Sequence, residues 1–469
     1  MISRRELLSR AGLSGTLLAT AGASATTLAA ASAASPSSSS PKGESAKLFL
    51  PPDSLAASTA DRLPLEWSKA RTKALQAKLA ARGFDGILLT DQWNVIYFTG
   101  LFHTTTERMM HAFIPTVGDH PIWFYPALDR DLVRSWWFED GDMYFDWLDV
   151  AGAAPQQGKV VKGPTTDLWR WALEGLKRRG FAGKKLAADK ELVPSAQATV
   201  VEVLGAPMAS AGADCMYMRQ RKTPEELALN RRAYAYSDRI HAFARDLLLS
   251  RGTDLPDFEI GHAATKYGTD LILADIKRDG GPHNAVGIKV DFSCRVGRAT
   301  GYPHPNQFHY NKVQRGQALQ ITGIVHIGGC GAELYRPYMI APRTNHMEKT
   351  WTVVRDSCLM QLDLSRKGTL CSDVAYAIHE FQVKQGMQEF IYHRPGHGQG
   401  MEGHQPPYLA LGDHTVLDTG MCFSVEPGLF DPKAGIGANF SDNFVVMPQG
   451  PSLQMSRLPW SEEWAWIEI

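Results

Sequence analysis

The sequence predicts an α+β protein in which a smaller α/β domain precedes a larger C-terminal domain. Its 469 residues exceed what a single hydrophobic core usually organises. Between residues 61 and 215, helical periodicity alternates with short apolar runs, which is typical of an α/β layer. Over residues 216–469, two groups of strand-like runs alternate with long helical patterns, which favours an α+β domain.

The N-terminal segment has the features of a twin-arginine export signal over residues 1–33. Arg4 and Arg5 precede an apolar run of small residues, and Ala31-Ser32-Ala33 offers a cleavage site. The run is too rich in Gly, Ser and Thr to be stable as a membrane anchor, so none is expected after cleavage. Residues 34–60 are expected to form a disordered linker. The sequence thus predicts a periplasmic or secreted protein.

Charge and cysteine usage exclude several classes of function. Lys plus Arg and Asp plus Glu number 49 each, so no global charge favours nucleic acid as a partner. A small-molecule or short-peptide substrate fits this balance better. The six cysteines are scattered without the close pairs of a zinc knuckle or redox motif. They are expected to be buried, and sequence alone cannot pair them into disulfides.

The N-terminal part shows regularly alternating secondary-structure signals. A polar loop over residues 100–108 interrupts the apolar segments and ends at Arg108. Residues 216–222 are basic and are predicted to be an extended crossing into the second domain. The predicted elements are helices at 65–82, 160–179 and 196–204, and strands at 87–89, 112–117, 121–125 and 185–187.

The C-terminal part begins with a strong helix-start signal. Thr223 is followed by Pro224 and then by Glu226 three residues on, which is a capping box with proline at the first helical position. A long helix is therefore predicted to run to residue 250. The further predicted elements are strands at 285–294, 318–327 and 332–340, and helices at 347–364 and 372–385.

The stretch 392–428 has the composition of a functional site. Four glycines surround His397, so its backbone can approach a neighbouring strand or ligand closely. The glycines disfavour a helix, and we predict a strand with a bend or bulge between His397 and His404. Residues 423–425 form a neighbouring apolar strand that presents Glu426 before a proline ends it. Histidine and glutamate are thus predicted to meet across strands.

These motifs resemble those of a known family. Gly396-His397-Gly398, His404 and Val425-Glu426-Pro427-Gly428 are similar to segments of the pita-bread hydrolases, which include aminopeptidase P, prolidase, methionine aminopeptidase and creatinase. The resemblance extends over most of the chain. It implies a pita-bread C-terminal catalytic domain at 216–469, preceded by a creatinase-type α/β N-terminal domain at 61–215.

The resemblance also implies a homodimer. In the family, an arginine of the N-terminal domain reaches the active site of the partner subunit. Arg108 occupies the matching position here and is therefore expected to bind substrate.

The family's metal site is altered in this chain. The resemblance implies two aspartates eleven residues apart, one histidine and two glutamates around a pair of divalent metals. Thr322 replaces the first aspartate, Glu333 the second, and Ser441 the last glutamate, while His397 and Glu426 match. Because hydroxyls offset a dication poorly, the second metal site is predicted to be lost. Glu333, His397 and Glu426 are expected to hold at most one zinc, manganese or iron ion.

Asp442 stands next to Ser441 and is the one acidic residue near this lost position. On a regular strand it would face away from the site, whereas a local bulge would turn it inward.

Two histidines are predicted to be catalytic. His304 matches a histidine that creatinase uses without metal, and His404 lies close to His397 in sequence. Creatinase has a functional carboxylate at the position that Tyr335 occupies in this chain. The absence of that carboxylate argues against creatine itself as substrate.

The sequence therefore predicts a hydrolase of the Xaa-Pro peptidase or creatinase type that cleaves a C–N bond in a peptide-like or amidino-like substrate. A catalytically inactive binding protein and a lyase acting on a small organic osmolyte are the alternatives. Several titratable groups are expected at one place, which disfavours the inactive binding protein.

Overall fold

The computed structural model describes residues 60–103, 106–118, 120–276, 287–304 and 310–469. The predicted signal segment, 1–33, and all but the last residue of the predicted linker, 34–60, lie outside the described residues.

The N-terminal part is built on one mixed six-stranded sheet in the order β4-β3-β2-β1-β5-β6. The central strand β1 is buried along its whole length, and it pairs antiparallel with β2 and parallel with β5. The strands are β1 (Gly86–Leu89), β2 (His111–Pro115), β3 (Ile122–Pro126), β4 (Gly141–Tyr144), β5 (Leu186–Ala188) and β6 (Ala209–Ser210).

Helices cover this sheet and complete the predicted α/β layer. The helices are α1 (Leu65–Ala81), α2 (Gln92–Thr99), α3 (Arg130–Arg134), α4 (Leu168–Arg178) and α5 (Pro194–Leu204). Helix α2 was not predicted from the sequence, and Asp91 defines its start. The Asp91 side chain accepts hydrogen bonds from the backbone N–H groups of Trp93 and Asn94 and so caps the helix.

The connection between the two parts is helical, so the prediction of an extended segment at 216–222 is wrong. Helix α6 (Gly212–Gln220) spans most of that segment. Cys215 is buried in the N-terminal core, and the buried Arg219 side chain donates to Asn94 and ion-pairs with Glu402 of the C-terminal part. These tertiary contacts stabilise a helix that the local sequence does not signal.

The C-terminal part contains two larger sheets and one short hairpin. A four-stranded sheet has the order β17-β9-β8-β7, a five-stranded sheet has the order β11-β10-β12-β15-β16, and β13 pairs with β14. The strands are β7 (Lys289–Val296), β8 (Ala318–Ile327), β9 (Cys330–Ile340), β10 (Gly396–Gly398), β11 (Gln405–Leu409), β12 (Cys422–Val425), β13 (Leu429–Asp431), β14 (Ile436–Ala438), β15 (Asp442–Val445), β16 (Leu453–Gln454) and β17 (Trp466–Ile467).

Helices pack against these sheets and include the predicted long ones. They are α7 (Pro224–Arg251), α8 (Asp257–Asp275), α9 (Asn345–Leu364), α10 (Cys371–Lys384) and α11 (Glu462–Ala465). The capping box at the start of α7 is confirmed. The Glu226 N–H donates to the Thr223 hydroxyl at 3.3 Å, and the Thr223 N–H donates to the Glu226 carboxylate at 2.8 Å.

The two larger sheets of the C-terminal part meet through a pair of backbone hydrogen bonds. The Tyr335 N–H donates to the Ser441 carbonyl at 3.1 Å, and the Ser441 N–H donates to the Tyr335 carbonyl at 3.2 Å. Immediately beside this contact, Arg336 and Asp442 form a fully buried ion pair of 2.8 Å. The two sheets are therefore joined where the sequence predicts the site.

All six cysteines lie within the described residues and are free thiols. Five are buried and Cys294 is partly buried, as expected for small apolar residues. Within the described ranges, no helix combines the length and the apolarity needed to cross a lipid bilayer.

The buried His241 on α7 makes the stability of the fold sensitive to acid. Its Nε2–H donates to the Leu334 carbonyl at 2.8 Å, and burial together with the positive charge of Arg336 lowers the pKa of His241 to about 3. In an unfolded chain the pKa of histidine is about 6.5. The contribution of a neutral His241 is therefore fully present above that pH and is lost as the pH falls towards 3.

The substitution His241→Gln keeps a donor for Leu334 but does not titrate. Between pH 7 and pH 4.5, its free energy of unfolding should fall by about 2 kcal/mol less than that of the wild type. Urea unfolding followed at several pH values measures this difference. The exposed His262 provides the control His262→Gln, which should follow the wild-type profile. An unchanged slope in His241→Gln would show that His241 does not carry this pH dependence.

Candidate active site

His397 lies on the short strand β10, between β11 and β12. A Cβ atom added at Gly396 would lie 2.7 Å from the Ser424 carbonyl oxygen, and one added at Gly398 would lie 2.6 Å from the Gln405 carbonyl oxygen. Any larger residue would therefore push the neighbouring strands apart. The close backbone approach expected from these glycines is confirmed.

The structure replaces the single bent strand predicted for the two histidines with a hairpin. The pairing of β10 with β11 shifts register between His397 and Gly398, which is the expected irregularity. His404, however, lies just before β11 rather than on a continuation of β10. The loop that carries it is tied to the N-terminal part by the ion pair between Glu402 and the buried Arg219.

Histidine and glutamate meet across strands, as predicted. The Nε2 atom of His397 lies 2.6 Å from Oε1 of Glu426 and 3.6 Å from Oε2 of Glu333. The Nδ1 atom lies 3.0 Å from the Gly398 carbonyl oxygen, so Nδ1 carries a proton and donates it. The buried Nε2 has no well-aligned hydrogen-bond partner, although two carboxylates are near. A lone pair that faces two carboxylates requires a cation between them, either a proton or a metal ion.

His404 joins the same cluster. Its ring stacks on that of His397 with the centroids 3.8 Å apart and an angle of 18° between the planes. Glu333, His397 and His404 each offer one ligand atom, and these atoms all lie within 4.8 Å of one another. His404, predicted only as a catalytic residue, is thus also placed where it could be a metal ligand.

The charges in the cluster are strongly linked. Burial raises the pKa of Glu333 to about 7, and the nearby Glu426 adds to this effect. Burial acts in the same direction on Glu426, but the close approach and the charge of the His397 ring outweigh it and lower the pKa of that carboxyl. Burial opposes protonation of His397, yet the two glutamates raise the pKa of its ring. The three groups therefore share protons and do not titrate independently.

The two positions predicted to have lost a carboxylate, Thr322 and Ser441, offer only hydroxyl oxygens. The Thr322 hydroxyl lies 2.6 Å from that of Ser293, and the Ser441 hydroxyl lies 2.8 Å from that of Ser424. Each hydroxyl thus has another hydroxyl as its hydrogen-bond partner. Neither position supplies a negative charge.

Asp442 faces away from the cluster, as expected for a residue on a regular strand. Its carboxylate is fully buried and pairs with Arg336. It also accepts hydrogen bonds from Ser456 and Gln454. The Asp442 carboxylate and its partners therefore lie on the opposite side of the strand from the Ser441 side chain.

The remaining predicted site residues are placed differently. His304 is exposed, and its charge contributes to lowering the pKa of His404, after the larger effects of burial and His397. The side chain of Arg108 bonds instead within its own domain, to Asp146 at 2.6 Å and Glu107 at 2.7 Å. Among the described residues, Arg108 has no contact with the histidine and glutamate cluster.

Three residues of the site were not identified from sequence. The Tyr335 hydroxyl donates to Oε1 of Glu333, and the Ser424 hydroxyl also contributes a hydrogen bond to that carboxyl. Tyr335 is two residues from Glu333 on β9, so strand periodicity alone could have placed both on one face. Arg295 lies near Tyr335 and Glu426, but the predicted strand ended one residue before it.

Comparisons with known proteins agree with this architecture. Residues 229–448 match the model of metallopeptidase family M24, and residues 71–211 match the creatinase/prolidase N-terminal domain. The Xaa-Pro dipeptidase of Lactobacillus delbrueckii subsp. lactis is 26% identical over 382 residues, which cover 80% of this chain and 94% of the relative.

Solved structures show the same fold. The dipeptidase PepE from Mycobacterium ulcerans aligns with a TM-score of 0.65 at 21% identity, covering 87% of this chain and 100% of that one. The X-Pro aminopeptidase from Thermotoga maritima aligns with a TM-score of 0.66 at 15% identity, covering 85% and 99%.

The fold and the site together define a hydrolase with a creatinase-type N-terminal domain and a pita-bread C-terminal domain, as the sequence predicts. More particularly, the C-terminal part matches metallopeptidase family M24 over residues 229–448, and the chain resembles the Xaa-Pro dipeptidases.

The geometry predicts that one metal ion binds per chain and depends on His397. Glu333 and Glu426 carry two negative charges at most, which offset a single dication. Elemental analysis of the purified protein should find at most about one transition metal per chain. His397→Ala should contain none, because the Nε2 lone pair between the carboxylates is lost. His120→Ala, at an exposed histidine, should keep the wild-type content. Two tightly bound metals in the wild type would contradict the prediction.

Restoring carboxylates should create the second site. Thr322→Asp combined with Ser441→Glu returns two anionic oxygen donors to the cluster, so the metal content should rise to about two per chain. The neutral pair Thr322→Asn with Ser441→Gln is nearly identical in shape and should leave the content unchanged. Equal contents in the two double variants would show that these positions do not face a metal site.

Proposed function

We propose that the chain hydrolyses a C–N bond in small peptide-like substrates, with an Xaa-Pro dipeptide as the first candidate. One observation carries the proposal. The buried Nε2 of His397 faces the carboxylates of Glu333 and Glu426 in the pita-bread domain, with His404 stacked beside the His397 ring. Relatives with this domain are named Xaa-Pro dipeptidases, which supports the choice of substrate.

The cluster fits a single divalent metal ion such as zinc, manganese or iron. Glu333, His397 and Glu426 would hold it, with the ring of His404 stacked beside His397. A bound metal ion supplies Lewis-acid polarisation of the scissile carbonyl group. The hydroxyls at Thr322 and Ser441 support the loss of the second site, because they bring no charge to offset another dication.

We assign the proton transfers to protein side chains. Hydrolysis adds water across the C–N bond, so a proton must leave the attacking water and reach the leaving amine. His404 is a suitable carrier, since burial and the neighbouring His397 lower the pKa of its ring and keep it neutral. His304 is exposed and within electrostatic range of His404, and it would complete the transfer to the amine. Tyr335 orients the Glu333 carboxylate by donating to one of its oxygens.

We also propose that the protein acts as a homodimer in which Arg108 binds substrate in the partner's site. Arg108 lies on a loop of the N-terminal domain and contacts only neighbouring residues of that domain among those described. Its guanidinium is partly exposed and is therefore available to a second chain. Light scattering of the purified protein measures the oligomeric state.

Export by the twin-arginine route remains our proposal for the location of the protein. It rests on Arg4 and Arg5 before a small-residue run and on the Ala31-Ser32-Ala33 cleavage signal. This route carries folded proteins, so a metal ion would be loaded in the cytoplasm. Cell fractionation with Arg4 and Arg5 changed to lysine tests it.

The activity is tested by incubating the metal-loaded protein with Ala-Pro and measuring released proline. Glu426→Gln should lower kcat by about 100-fold or more, because it removes a charge that holds His397 and the metal. Glu389→Gln, at an exposed glutamate, is the control and should retain full activity. The absence of proline release from a panel of Xaa-Pro peptides, or an elimination product from another substrate, would overturn the proposed function.

A further inference from the structure

Arg295 lies on the face of the four-stranded sheet that carries the site. Ser293 on β7 pairs with Thr322 on β8, and Thr322 pairs with Tyr335 on β9. Directly paired residues share a face, and so do residues two apart on one strand. Arg295 is two residues from Ser293, just as Glu333 is two residues from Tyr335. Arg295 therefore lies on the same face as Glu333, with the row of Tyr335 between them.

One end of the Arg295 guanidinium is fixed by the backbone. Its Nη1 donates to the carbonyl oxygens of Tyr302 and Pro303 at 3.0 and 2.8 Å. These residues directly precede His304, so the same contacts position the predicted catalytic histidine. The Nε and Nη2 groups have no hydrogen-bond partner among the described residues. Donors therefore remain available on a side chain that is held in place.

The charge of Arg295 has no carboxylate partner within ion-pair distance among the described residues. Burial lowers the pKa of Arg295, and the nearby Tyr335 and Glu426 partly offset this effect. The guanidinium is therefore within electrostatic range of the site. A partly buried cation without a counter-ion is costly, and an incoming anion would relieve that cost. A planar guanidinium with free N–H groups recognises a carboxylate by paired hydrogen bonds.

We propose that Arg295 binds the C-terminal carboxylate of a peptide-like substrate and so restricts the enzyme to short substrates with a free C-terminus. This assignment rests on the proposed function, since it names the group that the same site recognises. The neutral hydroxyls of Thr322 and Ser441 suit this role, because a second dication beside Arg295 would repel the guanidinium. Arg295 is then a binding residue, and it does not take part in proton transfer.

The test compares a carboxylate with its amide, both in binding and in turnover. Calorimetric titration with L-proline and with prolinamide reports binding without any reaction. Hydrolysis of Ala-Pro and of Ala-Pro amide reports KM and kcat. The proteins are the wild type, Arg295→Gln, Arg295→Lys and the control Arg315→Gln, which changes an exposed arginine of the loop before β8.

The wild type and Arg315→Gln should bind proline at least about tenfold more tightly than prolinamide, as expected for a charged hydrogen-bonded pair. Arg295→Gln should bind both equally, and its KM for Ala-Pro should rise about tenfold with a smaller change in kcat. Arg295→Lys keeps the charge without the paired geometry and should retain part of the preference. Each preference is the ratio of the affinities for proline and prolinamide, measured on the same protein. A loss of folded protein therefore does not change this ratio.

Two outcomes would overturn the assignment. One is a wild type without preference for proline over prolinamide, and the other is an Arg295→Gln variant that keeps the wild-type preference. A failure of the proposed function would give a different result from a failure of the Arg295 assignment. If no Xaa-Pro peptide is hydrolysed but the carboxylate preference disappears in Arg295→Gln, the anion-binding assignment holds and the reaction must be sought among other carboxylate substrates.

Discussion

The joint between the two larger sheets of the C-terminal part depends on the buried ion pair of Arg336 and Asp442. Both side chains are almost inaccessible to solvent. The Arg336 guanidinium also donates to the carbonyl oxygens of Tyr335 and Ser441 and lies 4.5 Å from the ring centre of Trp460. Removing one partner of such a pair leaves a buried charge uncompensated, at a cost of about 3–5 kcal/mol. The pair therefore holds the two sheets in one fixed relation.

The position of the site follows from this joint by strand alternation. Arg336 and Asp442 face one side, so their neighbours Tyr335 and Ser441 face the other. On that side, Tyr335 contacts Glu333 of one sheet, while His397 and Ser424 belong to the other sheet. The site thus combines residues from both halves of the domain, and small movements between the sheets would separate them.

The electrostatics of this site differ from those of a site with four metal-binding carboxylates. Two glutamates remain, two positions carry hydroxyls, and Arg295 adds a positive charge nearby. A charge distribution of this kind suits one dication together with an anionic substrate group. The charges present at the site therefore limit both the ions and the substrate groups that it can bind.

Much of the fold could be predicted because its signals are local. The capping box at Thr223 and the apolar runs of β8 and β9 depend on neighbouring residues, and each appears where expected. Helix α6 was missed because buried contacts of Cys215 and Arg219 with distant segments stabilise it. Arg295 was missed for a similar reason, since its role depends on strands paired with β7 and not on its immediate sequence.

By itself, the sequence determined the chemistry that is present. The glycines around His397 specify a close backbone approach, Glu426 ends an apolar strand, and the residues at 322 and 441 can supply no negative charge. Only the tertiary structure decided which groups meet. It stacked His404 on His397, turned Asp442 towards Arg336, and brought Arg295 within electrostatic range of Tyr335 and Glu426. The reason is that residue type is local, whereas distance, burial and the resulting pKa values depend on contacts between strands far apart in the chain.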